Sequence, residues 1–163
     1  MSVLHEIEIS PFRPSDQEAV KALILAGLVE HWGFLDPSLN PDLNDIRSAY
    51  AGSDFLVARL ANRIVGTGAL VPRQERTAEI VRMSVASDLR RCGLGRRILE
   101  RLIELARQRG YRRIVLETTA SWQEVIRFYL RCGFSITHYQ GEDVYFEKIL
   151  DHPQISQINA DRK

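Results

Sequence analysis

The chain has 163 residues, 45% of them hydrophobic and 26% charged, with a formal net charge of +1. That length suits one domain around one core, and the near-neutral balance argues against a general nucleic-acid partner. No apolar run approaches the ~20 residues that span a bilayer, so no membrane partner is expected, and two cysteines are too few for a disulfide framework, which points to reduced thiols in a cytoplasmic setting.

The opening Met1-Ser2-Val3-Leu4-His5-Glu6 lacks the basic and apolar regions of a secretory leader. Glu6 to Ser10 alternates and predicts a first strand. Ser15-Asp16-Gln17-Glu18 fits a capping box, so a helix is expected from Asp16 to about Glu30, broken by His31 to Pro37. Asn40-Pro41 opens a second, short helix with Asn40 as cap. Phe55 to Leu60 and Ile64 to Val71 flank Ala61-Asn62-Arg63 as a hairpin, and Ala78 to Val85 is a further strand. Leu94 to Arg109 carries the clearest helical stripe, on Leu94, Ile98, Leu102, Leu105 and Ala106, and Gly110 ends it. Arg113 to Thr118 follows as a strand, parallel to Ala78–Val85 through a right-handed crossover. Trp122 to Arg131 is helical and stops at Gly133; Phe134–Tyr139 and Val144–Ile149 close the sheet as a hairpin near Gly141. The predicted order is β-α-α-β-β-β-α-β-α-β-β, an α/β fold with a mixed sheet and helices on both faces. Residues 3–150 form the domain; 151–163 read as a polar, frayed tail.

The most informative stretch is Arg90-Arg91-Cys92-Gly93-Leu94-Gly95-Arg96, between a strand and the long helix. Side chains vanish at Gly93 and Gly95, so backbone can approach a ligand closely. The helix that follows aims its free N–H groups and positive dipole end at the same place, a site for phosphate or pyrophosphate. Nine arginines lie between Asp88 and Arg113; Arg101, Arg107 and Arg109 read as a solvated helix face, and Arg90, Arg91 and Arg96 as candidates for an anion.

Arg90-x-x-Gly93-x-Gly95, after a strand and opening a helix, resembles the Gln/Arg-x-x-Gly-x-Gly/Ala signature of GNAT-type N-acetyltransferases. Val125 to Phe134, with Tyr129 and Gly133-Phe134, resembles that family's Ala-x-x-x-Tyr-x-x-x-Gly-Phe segment, and Ala78 to Val85 resembles its central strand. The element order from Glu6 to about Leu150 also fits. The resemblance implies a GNAT-like domain with splayed central parallel strands and acetyl-CoA as co-substrate. Its pantetheine arm would bond the backbone of Met83, Ser84 and Val85. Its pyrophosphate would rest on the turn of Arg90, Arg91, Cys92, Gly93, Leu94, Gly95 and Arg96. The reaction implied is transfer of acetyl to a primary amine, on a small molecule or a protein, by direct attack in a ternary complex.

Such chemistry needs a proton acceptor for the amine, donors for the thioester oxyanion and a proton for the leaving thiolate. The resemblance puts Glu79 as base and Tyr129 as acid; otherwise Glu79 is an edge glutamate paired with Arg76 or Arg82, and Tyr129 a core aromatic beside Phe128 and Phe134. A bulge near Val85 would free a backbone N–H for the oxyanion. Cys92 in an electropositive turn invites an acetyl-cysteine intermediate, though the family sets this position against pyrophosphate, where a small residue suffices. Trp122 stands where many relatives carry asparagine, and Val125 where alanine is usual.

For the acceptor, the connection between the first two helices usually forms one wall in this family. Here it offers Trp32, Phe34 and Asp36, with Asp36 or Glu117 to meet a positive charge and Tyr145 on the last strands; alternatively Trp32 and Phe34 anchor the loop on the core. The four histidines are scattered without metal-ligand spacing, so no metal is expected. The missing Gly-Lys-Ser/Thr excludes a P-loop, and the third glycine of a dinucleotide fingerprint is absent. A non-catalytic acyl-CoA sensor and a transferase using another acyl-CoA, such as succinyl-CoA, are the rival readings. Homodimers are common among similar proteins, but no interface is legible in this chain.

Overall fold

The computed structural model describes residues 3–36 and 38–150; the tail from 151, Met1, Ser2 and Pro37 lie outside it. The elements run β1 Ile7–Pro11, α1 Gln17–Trp32, α2 Ile46–Ala49, β2 Asp54–Leu60, β3 Arg63–Pro72, β4 Thr77–Val85, α3 Leu94–Gln108, β5 Arg113–Thr119, α4 Gln123–Arg131, β6 Ser135–Gln140 and β7 Asp143–Ile149, with four short 3-10 turns. The strands form one mixed seven-stranded sheet in the order β1-β2-β3-β4-β5-β7-β6. The β1–β2, β2–β3, β5–β7 and β6–β7 pairs are antiparallel. β4 and β5 pair in parallel, from Thr77↔Arg113 to Glu79↔Val115. Two compact units divide the chain, one drawn from Met1–Val71 and Ile80–Leu102, the other from Pro72–Glu79 and Ile103–Lys163.

In the first unit, strand alternation sends Val57 and Ala58 to opposite faces. On one face Val20 and Ile24 of α1, Leu43 and Ile46 pack with Phe55, Val57 and Ala69 as a buried cluster. On the other, α3 lies close to β3 because Gly66 and Gly68 carry no side chain. A Cβ at Gly68 would sit 2.7 Å from Met83 Sδ and 2.9 Å from both Ile98 Cγ2 and Leu102 Cδ1. Gly68→Ala is therefore expected to overpack this layer and destabilise the fold by about 1–2 kcal/mol, read as a lower thermal midpoint. The apolar face of α3 is wider than the predicted stripe: Leu99 and Ile103 are buried with Leu94, Ile98, Leu102 and Ala106, while Leu105 is only half-buried.

Three local expectations are corrected. α1 continues two residues past Glu30, because Gly33 at φ +76° supplies a left-handed cap and its N–H bonds the Val29 carbonyl at 2.7 Å; Trp32 is thus helical. The capping box at Ser15 does not form. Residues Pro14–Asp16 make a 3-10 turn, and the Asp16 carboxylate instead accepts the Arg13 N–H and the Arg59 guanidinium. Asn40 is not a side-chain cap either: at φ +67° its amide oxygen accepts from Arg82, and Asp45 caps α2 by accepting the Ser48 N–H.

In the second unit, β5 runs in full register with β7, from Arg113↔Ile149 to Thr119↔Asp143. Ala78, Ile114, Leu116, Val144 and Phe146 share the buried face. Tyr129 of α4 packs there, its ring edge-on to Phe134 at 5.8 Å and tilted against Phe146 at 5.7 Å. The opposite face carries Glu79, Val115, Glu117, Tyr145, Glu147 and His138 in one register.

Candidate functional site

In the first unit the strand, the turn and the helix of the predicted anion site are contiguous. β4 breaks its extended run at Arg82, φ +56°, then delivers Met83, Ser84 and Val85. After it the chain makes a short 3-10 turn over Ser87–Leu89 and passes through Arg91 (φ +64°) and Gly93 (φ +91°), which reverse it into α3. The first helical bond of α3 is Arg97 N–H to the Gly93 carbonyl, 3.0 Å. The N–H groups of Leu94, Gly95 and Arg96 therefore precede the helical ladder and point out of its end, where the dipole favours an anion. The flanking guanidiniums are partly committed: Arg90 pairs with Glu30 of α1, and Arg96 with Glu100 one turn on at 3.1 Å. Backbone amides, more than arginine side chains, are thus the groups that could serve an anion here. The Cys92 thiol donates to the Leu89 carbonyl at 2.7 Å, which makes it a clasp of the turn.

In the second unit, Glu79 accepts from Arg73 Nε at 2.8 Å, so its cationic neighbour is Arg73 rather than Arg76 or Arg82. Glu117 and Tyr145 are register partners on β5 and β7. The Tyr145 hydroxyl bonds Glu117, and this bond, with Asp143 and Glu79 nearby, raises its pKa above the usual tyrosine value. Its other ring face stacks on His138, centroids 4.4 Å apart and planes 4° from parallel. Tyr129 is only 7% exposed. Burial, with the Cys132 thiol as a lesser contribution, drives its hydroxyl far above the usual value, so it remains protonated. Among the described residues no hydrogen bond to that hydroxyl is found.

The predicted acceptor residues of the first unit stand at the surface. Trp32 is 47% and Phe34 67% exposed, so neither is a core anchor, and Leu35 and Leu39 beside them are exposed too. Asp36 accepts the Ser38 N–H and hydroxyl at 2.9 and 2.7 Å; these bonds, the hydroxyl first, lower its pKa. Among the described residues no group of His, Cys, Asp or Glu could hold a metal ion, and no helix is long and apolar enough to cross a membrane.

The sequence profile of the acetyltransferase (GNAT) family matches residues 12–134. The chain belongs to that family. This GNAT chain is 33% identical over 122 residues to the probable N-acetyltransferase camello of Xenopus tropicalis, across 69% of this chain and 56% of that protein. It is 37% identical over 105 residues to the N-acetylaspartate synthetase of Danio rerio, across 62% of this chain and 37% of that protein. The chain thus spans about half the length, or less, of these curated relatives. Among solved structures, a GNAT-family acetyltransferase of Staphylococcus aureus Mu50 superposes with a TM-score of 0.81 at 22% identity, over 89% of this chain and 99% of that one. The PaiA N-acetyltransferase of Thermoplasma acidophilum, solved with coenzyme A, superposes with a TM-score of 0.76 at 16% identity, over 88% and 99%. The mixed seven-stranded sheet is the GNAT fold.

Sequence reading passed over Asp42 and Tyr50 and named Arg82 only as a partner for Glu79; the GNAT fold brings the three together in the first unit. Arg82 Nε and Nη2 donate to Asp42 at 3.0 and 2.6 Å, and the Tyr50 hydroxyl donates to the same carboxylate at 2.5 Å. Burial and then the Asp42 bond push the Tyr50 hydroxyl up to about 12. The signal was a lone arginine inside the apolar run Ile80-Val81-Arg82-Met83. A buried strand admits such a charge only with a partner waiting for it.

Proposed function

We propose that this chain is an acyl-CoA-dependent N-acetyltransferase that moves acetyl from acetyl-CoA to a primary amine by direct attack in a ternary complex. The observation that carries the reading is the turn Arg90–Gly95, which follows the interrupted strand β4 across the Ser87–Leu89 turn and opens the first-turn amides of α3. That donor set fits a pyrophosphate: backbone N–H groups at a helix N-terminus, held by two left-handed residues, with arginines around it. Relatives named as N-acetyltransferases support the same activity.

The acyl-CoA thioester supplies the electrophilic carbonyl. Backbone of Met83, Ser84 and Val85 lies along the donor arm, and an N–H of this segment polarises the carbonyl oxygen. Glu79, anchored by Arg73, takes the proton that leaves the amine, directly or through water. As the carbon–sulfur bond breaks, Tyr129 gives its proton to the sulfur. In the first unit Trp32 and Phe34 are the candidates for the apolar part of an acceptor and Asp36 for a positive charge on it; in the second, Glu117 with its partner Tyr145 is a candidate for such a charge. Acetyl is favoured over a dicarboxylic acyl group because the Arg82 guanidinium is already engaged by Asp42 and Asn40. Cys92, bonded to Leu89, has no covalent role in this scheme. A cytoplasmic setting is part of the reading, consistent with Cys92 and Cys132 being half-buried thiols outside any disulfide.

The test is thiol release from acetyl-CoA across a panel of amines, with calorimetry for acetyl-CoA binding. Amine-dependent release is expected; an acyl-CoA sensor would bind without release, and absence of both overturns the reading. Glu79→Gln is expected to lower kcat/KM about tenfold and to flatten its acid limb, a small loss for a positioned base because water relays substitute. An unchanged pH profile removes Glu79 from the scheme.

A further inference from the structure

Arg82 occupies a backbone conformation that residues other than glycine and asparagine rarely take, in the middle of a strand (φ +56°). Such strain persists only where surrounding contacts over-determine it, and it gathers at functional sites. Here the contacts come from two directions within the first unit. From β3, the fully buried Thr67 donates its hydroxyl to the Arg82 carbonyl at 2.7 Å. From the connection after α1, Asp42 takes Nε and Nη2 of the guanidinium, and Asn40 takes Nη2 at 3.1 Å. That end is itself braced. Tyr50 bonds Asp42, and Asn40 is left-handed at φ +67° immediately before Pro41. The carbonyl thus ties to the sheet, and the side chain ties to the loop that follows the exposed aromatics Trp32 and Phe34. The next residue along β4 is Met83, the first of the backbone run assigned above to the acyl donor. The two-bond grip on Asp42 depends on the planar fork of arginine, which lysine cannot reproduce.

We propose that Arg82 is a positioning residue with two separable duties: its carbonyl, held by Thr67, sets the break in β4 that presents Met83–Val85 to the acyl donor, and its guanidinium, held by Asp42 and Asn40, sets the acceptor loop. The inference rests on the N-acetyltransferase reading and assigns roles to residues which that reading leaves idle.

The duties come apart by mutation. In Arg82→Gly the glycine adopts φ +56° freely, so the carbonyl and its Thr67 bond remain while the guanidinium is lost. Acetyl-CoA affinity is expected to stay unchanged, and the KM of the best amine to rise about tenfold as the loop loses its guanidinium anchor. Asp42→Asn should move the same constant, and Arg82→Lys should not rescue it. Thr67→Val removes only the carbonyl's partner: the dissociation constant for acetyl-CoA is expected to rise about tenfold with the amine KM unchanged, and Thr67→Ser to restore it. A purely structural network would instead lower the thermal midpoint of every variant and scale down active protein, without separating the two constants. Equal shifts of both constants in Arg82→Gly and Thr67→Val, or no shift in either, overturn the proposal. If the wild-type chain binds acetyl-CoA but acetylates no amine, the transferase reading fails alone, and calorimetry on Thr67→Val against Arg82→Gly still decides the donor half. If it does not bind acetyl-CoA, both fail together.

Discussion

Tyr129→Phe is expected to lower kcat about 100-fold while leaving acetyl-CoA binding and the thermal midpoint nearly unchanged, the size of effect that one positioned general acid supplies. The stability half follows from packing. The ring contacts with Phe128, Phe134 and Phe146 are all kept by phenylalanine. With no hydroxyl hydrogen bond found among the described residues, the substitution orphans no partner. The kinetic half follows from burial, which raises the hydroxyl pKa far above its ordinary value of 10.0. A tyrosine so shifted keeps its proton as pH rises and is a weaker acid for it, so the proton passes only against the negative charge that develops on sulfur as the carbon–sulfur bond breaks. The alkaline limb of kcat therefore does not belong to Tyr129, and the Tyr129→Phe profile should lie parallel to the wild-type one, displaced downward. Steady-state thiol release over pH 6–10, with calorimetric acetyl-CoA titration of both proteins, checks the pair of statements. Full turnover in Tyr129→Phe would make the residue a core aromatic and nothing more.

The fold was legible because its signals are local. Alternation along β4, the stripe of α3 and the glycines at 93, 110 and 133 mark elements without reference to anything distant, and the element order follows from them. The turn proposed for the acyl donor has local marks of the same kind, Gly93 and Gly95, and Gly93 does take the left-handed conformation. What stayed hidden depends on pairs far apart in the chain. The partner of Glu79 was sought at Arg76 and Arg82, its neighbours in sequence, but the β3–β4 turn folds Arg73 back onto it. Arg82 is claimed by Asp42, forty residues earlier. Asp16 looked like part of a helix cap because Ser15-x-x-Glu18 is a local pattern, yet its carboxylate is taken by Arg59, forty-three residues later. Charged side chains have long reach and weak local preference, so their partners are set by the sheet register, which no short pattern encodes. The acceptor residues are the extreme case: Trp32 and Phe34 are exposed, and exposure itself says little about what they meet.

Arg59→Leu is expected to destabilise the fold by about 3 kcal/mol at pH 7, a fall of roughly 10 °C in the thermal midpoint for a chain of this length. Asp16 is 5% exposed, and Arg59 grips both of its oxygens, at 2.5 and 2.6 Å, while Nε reaches the Ser10 hydroxyl at 3.2 Å. The pair therefore ties the start of α1 to β1 and β2, and α1 in turn carries Glu30 to Arg90 in the turn before α3. In the wild type the Arg59 hydrogen bond, acting against burial, holds the Asp16 pKa below its ordinary 3.8. A carboxylate depressed in the folded state adds stability that is present above its unfolded pKa and lost as pH falls through the folded value. This contribution is thus complete at neutral pH and disappears below pH 3.8. Removing the guanidinium reverses the sign: burial then acts unopposed, the folded pKa rises above the unfolded one, and the variant is penalised at every pH where Asp16 is charged. The stability gap between the two proteins should accordingly be widest near neutrality, begin to narrow as pH falls through the raised Asp16 pKa of the variant, above 3.8, and narrow further below 3.8 as the wild type loses its own contribution. Urea melts of both at pH 7, 5 and 3.5 measure it. A gap that stays constant with pH would mean that Arg59 stabilises through packing of its aliphatic stem and not through the carboxylate it holds.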